Sequence, residues 1–198
     1  IIFPKICPEC NSKLEKLESE ANYFCTNYTD CRPQAIGRIQ HFVSRKAMNI
    51  DGLGDETIRL FYDLGFLRDI ADIYNLNYDE ISKIEGYGEK SAKNLKKGIE
   101  ESKLNSFQKV LFGIGIRYVG ESASKKIIKH VDSIDKLAHM DIESLSSIDE
   151  IGDKTAKSIV DFFSDINNIQ IINKLKSFGL NFYQKENDIN TTKLNGKI

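Results

Sequence analysis

No apolar run in this sequence approaches the roughly eighteen residues that a membrane-spanning helix requires. The opening, IIFPKICPEC, has no basic stretch ahead of an apolar one, so no signal peptide is expected. An initiator Met is missing as well, which leaves a cleaved precursor or a piece of a longer chain as explanations. A surplus of positive charge is also absent. Lys and Arg total 28 against 29 Asp and Glu, a balance that argues against a bulk electrostatic grip on nucleic acid. Any such binding has to work through local geometry. The three histidines, His41, His130 and His139, have no partner constellation and read as packing or surface residues. What remains is 198 residues, 40% of them apolar, enough for one good core or two small domains of an ordinary soluble kind.

Cysteine stops at position 31. The four thiols are Cys7, Cys10, Cys25 and Cys31, spaced C-x2-C, fourteen residues, C-x5-C. Two close pairs joined by a loop suit tetrahedral zinc, which takes four thiolates at about 2.3 Å. Two disulfides would suit a secreted chain, and four unrelated buried thiols would not cluster this way. The segment has few residues able to build a core without metal, so its fold is expected to depend on zinc. Four thiolates leave no open position for a water, which makes the metal structural rather than hydrolytic.

The rest of the chain repeats itself. IDGLGDETI starts at Ile50, IEGYGEKSA at Ile84, IRYVGESAS at Ile116 and IDEIGDKTA at Ile148. The shared glycines, Gly54, Gly88, Gly120 and Gly152, stand 34, 32 and 32 residues apart, a regularity that marks internal repeats. Apolar residues follow each glycine at helical spacing: Ile58, Phe61 and Tyr62; Ala92, Leu95 and Ile99; Ile127, Ile128 and Val131; Ala156, Ile159, Val160 and Phe163. Short patterns with the N-cap residues Asn77, Ser106 and Asp141 precede three of the phrases. The unit is helix, tight glycine turn, helix.

Glycine permits positive φ and a close approach of backbone. The second helix begins at once, and its first amides have no partner within the helix. Together with the helix dipole they form a site for an anion such as phosphate. Such a site needs no basic excess and reads no base edges, so it is blind to sequence. This is a helix-hairpin-helix motif in four copies. The alternative is that each glycine merely caps a helix in an αα-hairpin.

The copies differ. The acids Asp55, Glu89, Glu121 and Asp153 suit helix N-termini. A second acid, Glu56, follows in the first copy and would repel phosphate, so that copy is expected to be mainly structural. The second copy offers Gly86, Gly88, Lys90 and Lys93; the third Arg117, Gly120 and Lys125; the fourth Gly152, Lys154 and Lys157. Tyr118 and Glu150 replace the first turn glycine of the third and fourth copies, which places their hairpin geometry in question. From Arg32 to Ile50 there are cations and no acid. Arg38, Arg45 and Lys46 read either as a DNA-facing stripe or as the solvated side of a helix over 35–48, with Ile39, Phe42 and Val43 packing inward. A closing helix is expected over 168–178.

The cysteine spacing, CTN at Cys25, HFVSRKAMNIDGLG at His41, DIYNL at Asp72, GEKSAKNL at Gly88 and GIRYVGE at Gly115 together resemble the bacterial NAD-dependent DNA ligases. The resemblance covers residues 4–182. It implies a mainly α fold: a four-cysteine zinc finger over 1–36, a tandem helix-hairpin-helix domain over 37–183, and a linker over 184–198 toward a BRCT domain. It also implies a partner, nicked double-stranded DNA, sealed during replication and repair in the bacterial cytoplasm at the nucleoid, with no membrane involved. The NAD-binding, nucleotidyltransferase and OB-fold domains of that family have no counterpart here. NAD and Mg therefore belong to remaining ligase domains in cis. KIEG, from Lys83 to Gly86, departs from the family's adenylated-lysine motif and lacks a nucleotide pocket, so no catalytic residue is expected and the chain alone should bind without ligating. A free-standing DNA-binding module and a purely structural array are the alternatives.

Overall fold

Helices form where the three- and four-residue apolar spacing recurs, because that spacing places one stripe of side chains toward a common interior. In a computed structural model of the chain, residues 4–16, 22–28 and 30–184 are described. The expected linker, 185 onward, lies outside them. The described chain is almost entirely helical, as the repeat implied. Its strands among the described residues are a two-residue pair near the start, β1 (Leu14–Glu15) and β2 (Phe24–Cys25), antiparallel with Leu14 opposite Cys25.

Helix α1 (Arg32–Val43) starts at the last cysteine, with Cys31 at its N-cap and Pro33 in its first turn. The expected helix over 35–48 is thus corrected at both ends. Ser44 leaves helical geometry at ψ 157, and a turn closed by Met48 N–H on the Phe42 carbonyl ends at Asn49, φ 50. Proline needs no amide partner in a first helical turn, which is why the helix can start three residues earlier than its apolar periodicity suggests.

The repeats then follow in pairs. Helix α2 (Asp55–Asp63) comes after the first turn. The second turn lies between α3 (Tyr78–Ile81) and α4 (Glu89–Ser102). The third lies between α5 (Phe107–Ile114) and α6 (Glu121–His130). After α7 (Ile134–Ala138), the fourth lies between α8 (Ile142–Ser146) and α9 (Asp153–Ser164). Helix α10 (Ile166–Ser177) closes the array, and its capping residue Asp165 accepts the Asn167 amide. Asn77 and Asp141 accept amides of α3 and α8 as their sequence positions suggested. Ser106 sits at the N-cap of α5 without a side-chain cap bond. Past Gly179 the chain extends, and Phe182 returns its carbonyl to the Ile134 amide at 3.1 Å.

One continuous core runs from Ala35 to Phe182 and takes residues from both pairs of repeats. Phe42 is at its centre, fully buried, with its ring edge-on to Tyr74 and against the Gly113 backbone. Phe42→Ala should destabilise the protein by about 3–5 kcal/mol, read from urea denaturation. The described residues from 4 to 31 stand outside this core. Their buried members, among the described residues, are Cys7 and Cys31.

Candidate nucleic-acid interface and metal centre

The metal centre is built by two loops and a helix start. Cys7 and Cys10 sit in a turn closed by Asn11 N–H on the Cys7 carbonyl, Cys25 ends β2, and Cys31 starts α1. The four sulfurs lie within 4.8 Å of one another. Cys7 and Cys31 are 3.9 Å apart and Cys10 and Cys25 3.4 Å, so neither pair is bonded as a disulfide. Sulfurs around tetrahedral zinc are separated by about 3.8 Å, so the donor set and its size both fit that ion. The thiols differ while metal-free. Hydrogen bonding by Ser12 lowers Cys10 to about 6, whereas burial pushes Cys25 up to about 12. Zinc has to displace the protons, so loading is proton-coupled.

Helix α1 ties this centre to the hairpins. Gln34 donates to the carbonyls of Cys25 and Asn27 at 3.1 and 3.2 Å, and Arg38 donates to the Tyr28 carbonyl. Burial pushes the Arg38 guanidinium below its ordinary range. Arg32 makes a two-pronged pair with Asp63 of α2 and holds that carboxyl below its usual value.

The four turns share one backbone. The third residue of each phrase has positive φ: Gly52 at 92°, Gly86 at 80°, Tyr118 at 64° and Glu150 at 64°. Replacing glycine therefore did not change the turn, which answers the question raised by Tyr118 and Glu150. In the last three copies the fourth residue's amide bonds the first residue's carbonyl at 2.9–3.0 Å. Left-handed geometry costs an L-residue about 1–2 kcal/mol, so Gly86→Ala should lower stability by about 1 kcal/mol in a denaturant titration. Tyr118 and Glu150 are retained by contacts across the pair. Lys126 of α6 reaches Glu150 at 2.9 Å and Asp149 at 3.2 Å. Ser158 of α9 donates to the Arg117 carbonyl at 2.8 Å. Each hairpin of the second pair thus holds the turn of the other. In the first pair, Tyr87 donates to the Gly52 carbonyl at 3.0 Å, and Gly98 of α4 lets the Asp51 backbone approach.

The fifth residue of each phrase, Gly54, Gly88, Gly120 or Gly152, is the N-cap of the following helix. Its φ lies between −69° and −80°, which any residue adopts, and a Cβ there meets nothing within 4 Å. None of the four helices has a side-chain cap, although Ser, Thr or Asp would supply one. No contact among the described residues accounts for glycine at these points.

Around the last three helix starts, Lys90, Lys93, Lys125 and Lys157 are exposed and make no ion pair with another described residue. The same is true of Arg45, whereas Lys46 pairs with Glu121 at 3.4 Å. The exposed start of α2 carries Asp55 and Glu56. Arg117 and Lys154 converge on the Tyr118 ring at 5.1 and 4.3 Å. A cleft of about 830 Å³ separates the finger from the second pair, with Arg38, Arg117, Lys154 and Lys157 among its walls. Lys83 is exposed between α3 and the second turn, away from that cleft's lining. Sequence reading did not find Lys126 or Ser158, whose contacts cross between repeats.

Three comparisons of segments agree with this geometry. Residues 7–32 match the NAD-dependent DNA ligase C4 zinc finger domain. Residues 44–101 match a SAM-like helix-hairpin-helix tandem, and residues 109–172 a helix-hairpin-helix motif, so the two matches divide the array into the same two pairs. The chain is similar to a DNA ligase of Flavobacterium psychrophilum, 48% identical over 97% of this chain and 29% of the relative. A DNA ligase of Bacteroides fragilis is 49% identical over 96% of this chain and 29% of the relative, and one of Phocaeicola vulgatus has the same figures. The chain thus spans under a third of the length of these curated relatives. No helix among the described residues is long and apolar enough to cross a membrane. The chain thus carries a finger that matches that of the NAD-dependent DNA ligases beside two helix-hairpin-helix pairs, and nearly its whole length is similar to one segment of the curated DNA ligases.

Proposed function

We propose that this chain grips the backbone of nicked duplex DNA within an NAD-dependent ligase that seals nicks during replication and repair. The observation that carries the reading is the set of bare helix starts. Glycine stands at each N-cap where a Cβ would meet no protein atom and where a capping side chain would be favoured. A phosphate approaching the amides of α4, α6 and α9 would meet that Cβ, and the helix dipole would favour its charge. Gly86, Gly88, Lys90 and Lys93 would serve one phosphate; Arg117, Gly120 and Lys125 a second; Gly152, Lys154 and Lys157 a third. Lys126 offsets the Glu150 charge beside the third site. Arg38, Arg45 and Lys46 add cations along and after α1. The first hairpin, with its paired acids, packs.

Cys7, Cys10, Cys25 and Cys31 would hold zinc, which supplies folding energy to a segment without an apolar core. The division is a finger over 1–36, the hairpin array over 37–183 and a linker from 184, with α1 shared by the first two. In the full enzyme, AMP passes from NAD to a lysine, then to the DNA 5′-phosphate, before the ends are joined, and Mg serves that chemistry in other domains in cis. The work takes place in the bacterial cytoplasm, at the nucleoid.

The test is binding of the zinc-loaded chain to nicked and intact duplexes of several sequences across a salt series. Affinity independent of sequence, with a salt slope smaller than the number of phosphates covered, is the expected result. Absence of binding at low salt would overturn it.

A further inference from the structure

A row of alternating rings and cations crosses from the finger to the hairpins, and its aromatic members, Phe24 and Tyr118, are outside the metal and phosphate sites described above. The Arg117 guanidinium carbon lies 4.8 Å from the centre of the Phe24 ring and 5.1 Å from that of Tyr118. Lys154 Nζ lies 4.3 Å from the Tyr118 ring on the same row. Three separate units contribute: β2, the third turn and α9. Phe24 precedes the ligand Cys25 and pairs with Glu15 in the small sheet, so the sheet that carries the ligand also places the ring. From the other side, Ser158 fixes the Arg117 carbonyl at 2.8 Å. A guanidinium stacks through its face and hydrogen-bonds through its edge. Contact with the Phe24 ring restricts where the Arg117 guanidinium lies.

We propose that Phe24 is a positioning residue for the third hairpin: it presents Arg117 to the phosphate at the start of α6 and so couples the folded metal centre to DNA binding. The proposal rests on the DNA-binding reading above. A packing role would need only an apolar side chain at position 24, and leucine would satisfy it.

The experiment measures affinity for a nicked duplex, with zinc content determined in every sample. Phe24→Leu should keep its zinc and bind about three- to fivefold more weakly, the range expected for losing one such stack. Phe24→Tyr should bind as the parent does. In an Arg117→Ala background, Phe24→Leu should add nothing. Should leucine disturb the finger, 4-fluoro- and 3,4,5-trifluorophenylalanine at position 24 keep the shape while weakening the ring's negative face. Affinity should then fall in order of fluorine content. An unchanged affinity across the fluorinated series, or a Phe24→Leu loss that persists in full without Arg117, would overturn the coupling. If Arg117→Ala weakens binding while the position-24 variants do not, the coupling fails and the DNA-binding reading stands. If Arg117→Ala has no effect, the phosphate site at the third hairpin fails and the coupling with it.

Discussion

Replacing Gly88, Gly120 and Gly152 together by alanine is expected to weaken binding to nicked duplex DNA by about a hundredfold or more. On the proposed reading each site donates backbone amides to a phosphate, and hydrogen bonds to charged groups are worth about 1.5–3 kcal/mol apiece. The fold should survive. All three positions have φ near −70° to −80° and open space for a Cβ. The loss of cap preference costs at most about 1 kcal/mol at each. The first hairpin supplies the control, because Gly54 has the same conformation and the same open space. Gly54→Ala should have a similar effect on the urea midpoint as each other single change and little effect on DNA affinity. Equal affinity losses at Gly54 and at the other three positions would show that the changes act through helix stability. Retained affinity in the triple variant would show that the hairpins only pack.

The second large effect concerns the metal. Removing zinc by chelation should unfold residues 4–31 while leaving the helices from α2 onward intact. The structural ion in such a site contributes about 10–16 kcal/mol, and the segment's buried residues, among those described, are two of the ligands themselves. Cys31 is also the N-cap of α1, so the first turn of that helix should fray with the finger. Hydrogen exchange reads both outcomes. Amides of the finger and of the α1 start should lose protection, and those of α4, α5 and α9 should keep it. Unchanged protection of residues 4–31 in a zinc-free sample would contradict the account.

The repeats were legible because each turn restates the same constraint. Once Ile50, Ile84, Ile116 and Ile148 are aligned, the third residue is the left-handed one, and the structure keeps it so even for Tyr118 and Glu150. Composition alone would have argued the other way, since both residues disfavour that geometry. What holds them there is Lys126 and Ser158, each reaching from the opposite hairpin, and no local pattern announces a contact over 24 or 41 residues. The start of α1 was misplaced for a related reason. Its apolar stripe begins at Ala35, while its first turn is set by Cys31 and Pro33, which carry no periodic signal. The four cysteines were readable from spacing, because metal geometry tolerates few arrangements of four ligands. Phe24 was not readable, since its ring meets Arg117 only once the finger is folded against the hairpins.

The central claim is that amides at the starts of α4, α6 and α9 hold DNA phosphates. The most direct measurement is a titration of the ¹⁵N-labelled, zinc-loaded chain with nicked duplex, followed by amide resonances. The account predicts the largest movements at Glu89 to Ser91, Glu121 to Ala123 and Asp153 to Thr155, with Asp55 to Thr57 nearly still. Bound DNA that leaves those nine amides unmoved, with the changes confined to other surfaces, would contradict it.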